Sequence, residues 1–356
     1  MEKILQPSSG VDNVGLGQTA THNFRKGPSY HHMTYIVTIG KTALTAGFTS
    51  PTLSDALGAL EVRINTETKR SLKAIELDTI QQAWSPNFAV IQLDGIGNDL
   101  ITAIPDVVTT GSTASDGYAP SGTIPINSTR RVSTFLFTIY FAEAFRTSYV
   151  AQRFFALPTL WPNGKTVDVQ VALNVPNNAG IAAPTIRAEE FIDFTKGPHQ
   201  KTLANGAPDT ASPAVLPMVN FWAINKNYSA TDFSITDWGN VRGKLQQISL
   251  FGQAADYLTK YKLKADNVPK RDTTKVSNDQ LNQKYEWDFP IPNITAPYDK
   301  ANVTHIALDT SDDVTDWLNF DNYGSIELAM TLNQVAATNK VVRAIVQAYD
   351  VYILPA

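Results

Sequence analysis

Alternation of apolar and polar residues dominates this chain, and its clearest instance occurs twice. Between positions 167 and 175, Val167, Val169, Val171, Leu173 and Val175 share one face, while Asp168, Gln170, Ala172 and Asn174 occupy the other. Between 325 and 333, Ile326, Leu328, Met330 and Leu332 face one way, and Ser325, Glu327, Thr331 and Asn333 the other. Side chains on a strand alternate with period two, so each run predicts a half-buried antiparallel strand. Leu332 lies 159 positions after Leu173, about one domain length on a prior of roughly 100–150 residues. The pattern predicts a duplicated β-sandwich.

Further strands are expected at 35–39, 60–64, 71–77, 88–93, 133–145 and 185–195, and in the second half at 215–224, 244–251, 325–335 and 341–354. Short helical pieces are expected where Ser50 and Pro51 precede Leu53, Leu57 and Leu60. Another is expected where Thr147 and Ser148 precede Val150, Phe154 and Leu157, ended by Pro158. Residues 257–263 form a short amphipathic piece. Two long stretches read as exposed excursions, 104–125 and the highly polar 266–283. Residues 1–30, rich in Gly, Ser, Thr and Asn, read as an arm ordered only against something else. The Gly- and Pro-bearing stretch 197–213 reads as a boundary. The expected organisation is an arm (1–30), a first sandwich (31–196), a linker (197–213) and a second sandwich (214–356). With no pattern of helices between strands, two antiparallel sandwiches are favoured over a parallel α/β sheet.

Composition agrees. At 356 residues the chain exceeds the ~250–300 at which single cores stop growing. Charged residues are 17%, below the usual ~25%, which suits a protein that hides surface against partners. A net charge of −4 gives no basic footprint for nucleic acid. The absence of cysteine excludes disulfides, thiolate metal sites and cysteine catalysis. Positions 1–17 carry no sustained apolar region of a signal peptide, and no apolar run approaches the ~20 residues that span a bilayer. A soluble cytoplasmic product is expected, and the sequons at Asn127, Asn227, Asn293 and Asn302 are read as chance.

The chemical candidates each have a structural explanation. Gly15, Gly17 and Ala20 match a loose GxGxxA, but no strand precedes and no helix follows to make a phosphate cradle. His31 and His32 are adjacent, without the helical spacing of paired metal ligands. Asp309, Asp312, Asp313 and Asp316 lack the alternate spacing and glycine of a calcium loop, and read as a solvated turn and helix cap. Glu189 and Glu190, neighbours on a strand, point to opposite faces and cannot converge as an acid–base pair. No serine sits in a GxSxG elbow, and no histidine has local support as a base. Lys260, Lys262, Lys264, Lys270 and Arg271 interleave with Asp256, Asp266 and Asp272, as in a solvated loop. Trp161, Trp222, Trp238, Trp287 and Trp317 sit beside turns and strand ends and read as core plugs. No catalytic, cofactor-binding or metal residue is assigned, and no cofactor is expected.

The order of the pieces carries a resemblance. The run 133–145, the helix to Leu157, then 167–175 resembles the middle of the first jelly roll of tectivirus major capsid proteins, the coat proteins of icosahedral bacteriophages with an internal membrane. Ala214-Val215-Leu216-Pro217-Met218-Val219-Asn220 is similar to the entry into that family's second jelly roll. Trp287-Asp288-Phe289-Pro290, Asn322-Tyr323-Gly324-Ser325 and the run from Val342 to Tyr352 are the nearest matches. The resemblance implies an all-β chain of two eight-stranded antiparallel jelly rolls in tandem with short helical inserts. It implies a structural capsid subunit, not an enzyme. Pseudo-hexagonal homotrimers would tile an icosahedral virion shell over an internal membrane, beside other capsomers, penton and minor capsid proteins. Synthesis would be in the host cytoplasm, without sequence-specific nucleic-acid binding. A two-module carbohydrate-binding or tail-spike-like protein is the alternative, and would require carboxylates and aromatics converging in one groove.

Overall fold

The computed structural model describes residues 3–7, 17–40, 57–64, 66–84, 91–93, 132–142, 156–159, 166–173, 185–193, 204–205, 215–252, 256–284, 302–308, 318–336 and 340–353. The expected loop at 104–125, the helical segment at 147–155 and the acidic cluster at 309–316 lie outside them. The chain divides into two units: 1–78 with 87–218 and 351–356, and 79–86 with 219–350.

In the first unit the principal strands are β1 (Lys3–Pro7), β2 (Thr19–Asn23), β3 (Ser29–Gly40), β4 (Leu57–Ile64), β5 (Glu67–Lys73), β7 (Val132–Tyr140), β9 (Val167–Leu173) and β10 (Thr185–Asp193). Short β6 (Ile91–Leu93) pairs with β7, and β8 (Leu157–Pro158) with β3. One sheet runs β1-β10-β3-β7 and the other β2-β9-β4-β5. The strands that lie wholly or mostly in the second unit are β11 (Val215–Asn227), β12 (Asp232–Ile235), β13 (Lys244–Phe251), β14 (Leu258–Ala265), β15 (Val268–Thr274), β16 (Val303–Ala307), β18 (Ile326–Leu332) and β19 (Val341–Ile353), with β17 (Leu318–Asn319) beside β13. Its sheets run β11-β19-β13-β16 and β12-β18-β14-β15. Counting the principal strands one to eight within each unit, both have the orders 1-8-3-6 and 2-7-4-5. That is the jelly-roll connectivity, present twice.

The two alternating runs form strand seven of each unit, Val167–Leu173 and Ile326–Leu332. Val167, Val169 and Val171 are buried in the first, and Ile326, Leu328, Met330 and Leu332 in the second. Each pairs with strand four, placing Val62 opposite Val169 and Leu263 opposite Leu328. Strand eight of the second unit, β19, brings Val342, Ala344 and Val346 to the core from the other sheet. Trp238 plugs that core, its Nε1 donating to the Ile326 carbonyl at 2.8 Å. Gly243 enters β13 at φ 81°, where a Cβ would lie 2.2 Å from the Tyr349 carbonyl oxygen, so only glycine fits.

Several expectations change. The arm at 1–30 contains β1, paired with β10, and β2, paired with β9. These strands are only five residues each, and β2 is mostly polar, so composition conceals them. Leu57 and Leu60 belong to β4 rather than to a helical turn, and Leu157 to β8. The strand expected at 71–77 gives way at Ala74 to helix α1 (Ala74–Trp84). The Glu76 carboxylate accepts from the Lys73 N–H at 2.9 Å, half of a capping box, and thereby starts the helix. Because the described side chains of α1 are buried on all sides, no amphipathic period marks it.

The excursion expected at 266–283 is a correction of the same kind. It holds β15 and helix α2 (Lys275–Lys284). Asp266 and Asn267, at φ 47° and 64°, make the tight turn from β14. β15 is largely exposed on both faces, so it shows no alternation. The inward positions of α2 are Asn278 and Asn282, whose Nδ2 groups each donate to the His305 carbonyl at 2.8 Å. Polar groups at i and i+4 give no apolar signal.

Val169→Asp places an unpaired charge at the centre of the first sandwich, where Val169 is fully buried. The expected cost is about 3–5 kcal/mol, read as loss of soluble folded protein or a sharply lower urea midpoint.

Candidate functional site

The features repeated between the units are structural, and each uses charge to tie strands together. Leu258 lies 201 positions after Leu57, and the same shift relates β4 to β14, β5 to β15 and the start of α1 to that of α2. Strand seven recurs after 159 positions. The difference means that the stretch from the start of the helix to strand seven is 42 residues longer in the first unit than in the second.

At these shifts a cross-strand ion pair is duplicated. Arg63 on β4 meets Asp168 on β9, Nη2 to Oδ1 at 2.8 Å, and the counterpart Lys264 meets Glu327, Nζ to Oε2 at 2.8 Å. In both cases the two residues are direct register partners. A second duplicate lies on strand five. Arg70 donates through Nη1 to the carbonyl of Tyr140, the last residue of strand six, at 2.8 Å. Its counterpart Arg271 donates through Nη1 to the carbonyl of Ala307, again the last residue of strand six. The guanidinium fork reaches strand-end carbonyls of the opposite sheet. The pairs Lys69-Arg70 and Lys270-Arg271 carried this signal in the sequence.

Several buried polar groups are bonded into the sandwiches. In the first unit, His22 on β2 and Glu190 on β10 join the two sheets, Nε2 to Oε1 at 3.1 Å. Burial, with Glu190 nearby, pushes the Tyr30 hydroxyl upward, so it stays protonated. In the second unit Asp256 accepts from the Tyr228 hydroxyl at 2.7 Å and from the Ala336 N–H at 2.7 Å. His305 Nδ1 lies 2.8 Å from Ser249 Oγ and 3.0 Å from Gln247 Nε2. This serine–histidine pair was not legible in the sequence, because its members sit on β13 and β16, 56 residues apart. It is not an accessible nucleophile, since Ser249 and His305 are 1% and 2% exposed. Burial, then the Lys275 charge, lowers the imidazole to about 3, so it is neutral near pH 7.

The sequence candidates are placed as follows. Thr19–Asn23 after Gly17 is strand β2, without a helix for a phosphate cradle. His31 and His32 lie on β3 against Phe191, His32 stacked at 4.8 Å, and burial followed by His31 lowers His32 to about 4. Glu190 is buried on the His22 side. The basic residues at 260–271 are on paired strands, not in a loop. Lys260 and Lys262 flank Asp272 at 3.2 and 3.1 Å and hold its carboxyl below the usual range. Lys270 lies 5.1 Å from the Tyr323 ring centroid. Trp222 is half-buried, while Trp161, Trp287 and Trp317 lie outside the described residues. Among the described residues no group of three metal-ligating side chains converges, and no helix is long and apolar enough to cross a membrane.

Two outcomes are expected. First, Asp168→Asn costs more stability than Glu327→Gln, because the side chain of Asp168 is 8% exposed and that of Glu327 31%; urea midpoints of both variants check this. Second, His305 has a folded value of about 3 against an ordinary 6.5, so below pH 6.5 the unfolded chain takes up a proton that the folded chain refuses. Stability from this group is complete above that pH and declines toward pH 3. Urea midpoints at pH 7 and 4.5 should differ, and His305→Gln should reduce the difference.

No protein-family model and no curated protein matches the sequence. Solved structures do. The major capsid protein P2 of bacteriophage PM2 superimposes with a TM-score of 0.63 at 13% identity, over 99% of this chain and 98% of that one. The major capsid protein of Sulfolobus turreted icosahedral virus gives 0.57 at 11%, over 100% and 98%. A chain of the PBCV-1 virus capsid gives 0.56 at 11%, over 99% and 94%. Two tandem jelly rolls with one strand order, matched from end to end, give this chain the double jelly-roll fold found in these viral capsid proteins.

Proposed function

We propose that this chain is a viral major capsid protein, a structural subunit rather than an enzyme. The observation that carries the reading is the repeated 1-8-3-6 and 2-7-4-5 strand order, matched to capsid proteins over 99% of the chain. In this reading the protein resides in the virion shell and packs against other capsomers.

The finer reading is a homotrimer. Three chains, each with two jelly rolls of one topology, put six similar modules around an axis, and such a ring tiles a surface as a hexagon does. The base of the trimer would face an internal membrane, and penton and minor capsid proteins would complete the shell, as the resemblance to tectivirus coat proteins implies. No disulfide stabilises the chain. Assembly supplies stability instead, because a neighbour that binds only folded subunits shifts the equilibrium toward them. The linker at 197–213 and a second jelly roll at 214–356 belong to the same proposal, with the first jelly roll taking in β1 and β2.

Native mass spectrometry and light scattering of the purified chain test it. A homotrimer that persists on dilution is expected, and a strict monomer that binds glycans would overturn the reading.

A further inference from the structure

The second unit shows what the fold itself asks of strand two. Ile235 on β12 lies opposite Leu328, and His22 on β2 lies opposite Val169, which is the same place in the two repeats. Both side chains are 1% exposed. An aliphatic residue meets the packing need there, yet the first unit buries an imidazole. Its partner is equally unforced. Strand eight of the second unit gives Val342, Ala344 and Val346 to its core, whereas β10 buries Glu190 between Ala188 and Ile192. Replacing a buried charge pair by well-packed aliphatic groups is often neutral or stabilising, so stability alone does not account for this one.

The pair, Nε2 to Oε1 at 3.1 Å, is enclosed by aromatic groups. The Phe24 ring centroid is 5.4 Å from that of His22, 4.2 Å from Tyr30 and 5.6 Å from Phe141. β7 and β9 bury Phe137, Ile139, Val167 and Val169. On β3 the Tyr30 and Tyr35 hydroxyls are pushed up by burial first, with the Glu190 charge adding to it, so both stay protonated. Arg25, after β2, donates its backbone N–H to Tyr30 Oη at 3.1 Å. Arg70 on β5 lies 5.4 Å from the Phe141 ring centroid, and Arg63 is engaged with Asp168. β2 is the end strand of its sheet, with β9 as its ladder neighbour. Its buried side chains are Ala20 and His22, so little apolar surface holds it.

We propose that the His22–Glu190 pair is an acid-sensitive lock that keeps β2 closed on the first jelly roll and releases it when a second proton enters. Closed, the pair holds one shared proton and has no net charge. A second proton would leave a cation among aromatic rings without a counter-charge. Released into water, an imidazole takes its proton at about pH 6.5 and a carboxylate at about 4.3. Below about pH 4.3 the open form therefore binds two protons and the closed form one, so acid drives opening. An end strand with one ladder neighbour is the element that can leave at the smallest loss of structure.

Amide hydrogen exchange of the full-length protein tests the lock, read as protection factors corrected for the pH dependence of exchange itself. Peptides over 18–24 report β2, and peptides over 57–64 report β4 of the same unit. Between pH 6 and pH 3, protection in β2 is expected to fall about tenfold or more, with β4 held within about threefold. Glu190→Gln leaves the imidazole as the titrating member, so its β2 should already lose about tenfold between pH 7.5 and pH 5.5. The double variant His22→Ile with Glu190→Leu copies the aliphatic second unit and should keep β2 protected throughout. Unchanged β2 protection in the wild type at pH 3, or β2 and β4 falling together, overturns the lock. So does a double variant that still opens in acid. Where the double variant misfolds, a Glu190→Gln chain as protected at pH 5.5 as at pH 7.5 overturns it.

Discussion

The structure depends on one contact made twice: strand four lying beside strand seven with aliphatic side chains turned inward. Val62 faces Val169 in the first unit, and Leu263 faces Leu328 in the second, all four at 1% exposure or less. A one-residue slip would turn every inward side chain to the other face, so the register is strongly specified. With that pair fixed, the partners on the outer face are fixed as well. Arg63 meets Asp168 and Lys264 meets Glu327 because pleat and register leave them opposite one another.

Polar residues in this molecule hold strands where hydrophobic burial cannot. Arg70 and Arg271 satisfy carbonyls at the end of strand six, His22 and Glu190 link the two sheets of the first sandwich, and Asn278 and Asn282 seat α2 on the His305 carbonyl. The Ser249–His305 pair looks like a nucleophile and base when reduced to a distance, but its burial makes it part of a sheet face. Buried polar groups are hydrogen-bonded as a rule, and a close pair of reactive types is not a site without access.

The legible part of the fold followed the burial of single faces. Strands seven, half-buried and regular, stood out from period two alone, and β13 was located at 244–251, the span that it occupies. Apart from β13, which buries both faces, elements that bury both faces or neither were missed. α1, buried all round, read as strand; β15, exposed all round, read as loop; β1 and β2 read as an arm ordered only against something else, because their strand character lies in pairing rather than composition. The basic residues of β14 and β15 were read as solvated, and their partners Asp272 and Glu327 account for the local balance of charge.

By itself the sequence determined that the chain is β-rich, duplicated and without cysteine, and which side of its most regular strands faces a core. Those properties follow from local periodicity and composition, which need no knowledge of the neighbours. The tertiary structure alone decided that each unit has the order 1-8-3-6 and 2-7-4-5, that the ion pair recurs at shifts of 201 and 159 with the arginine clamp beside it, and that strand five and its helix are buried in one repeat and exposed in the other. Each of these depends on which distant strands lie side by side, and a pattern of alternation is the same whichever partner a strand takes.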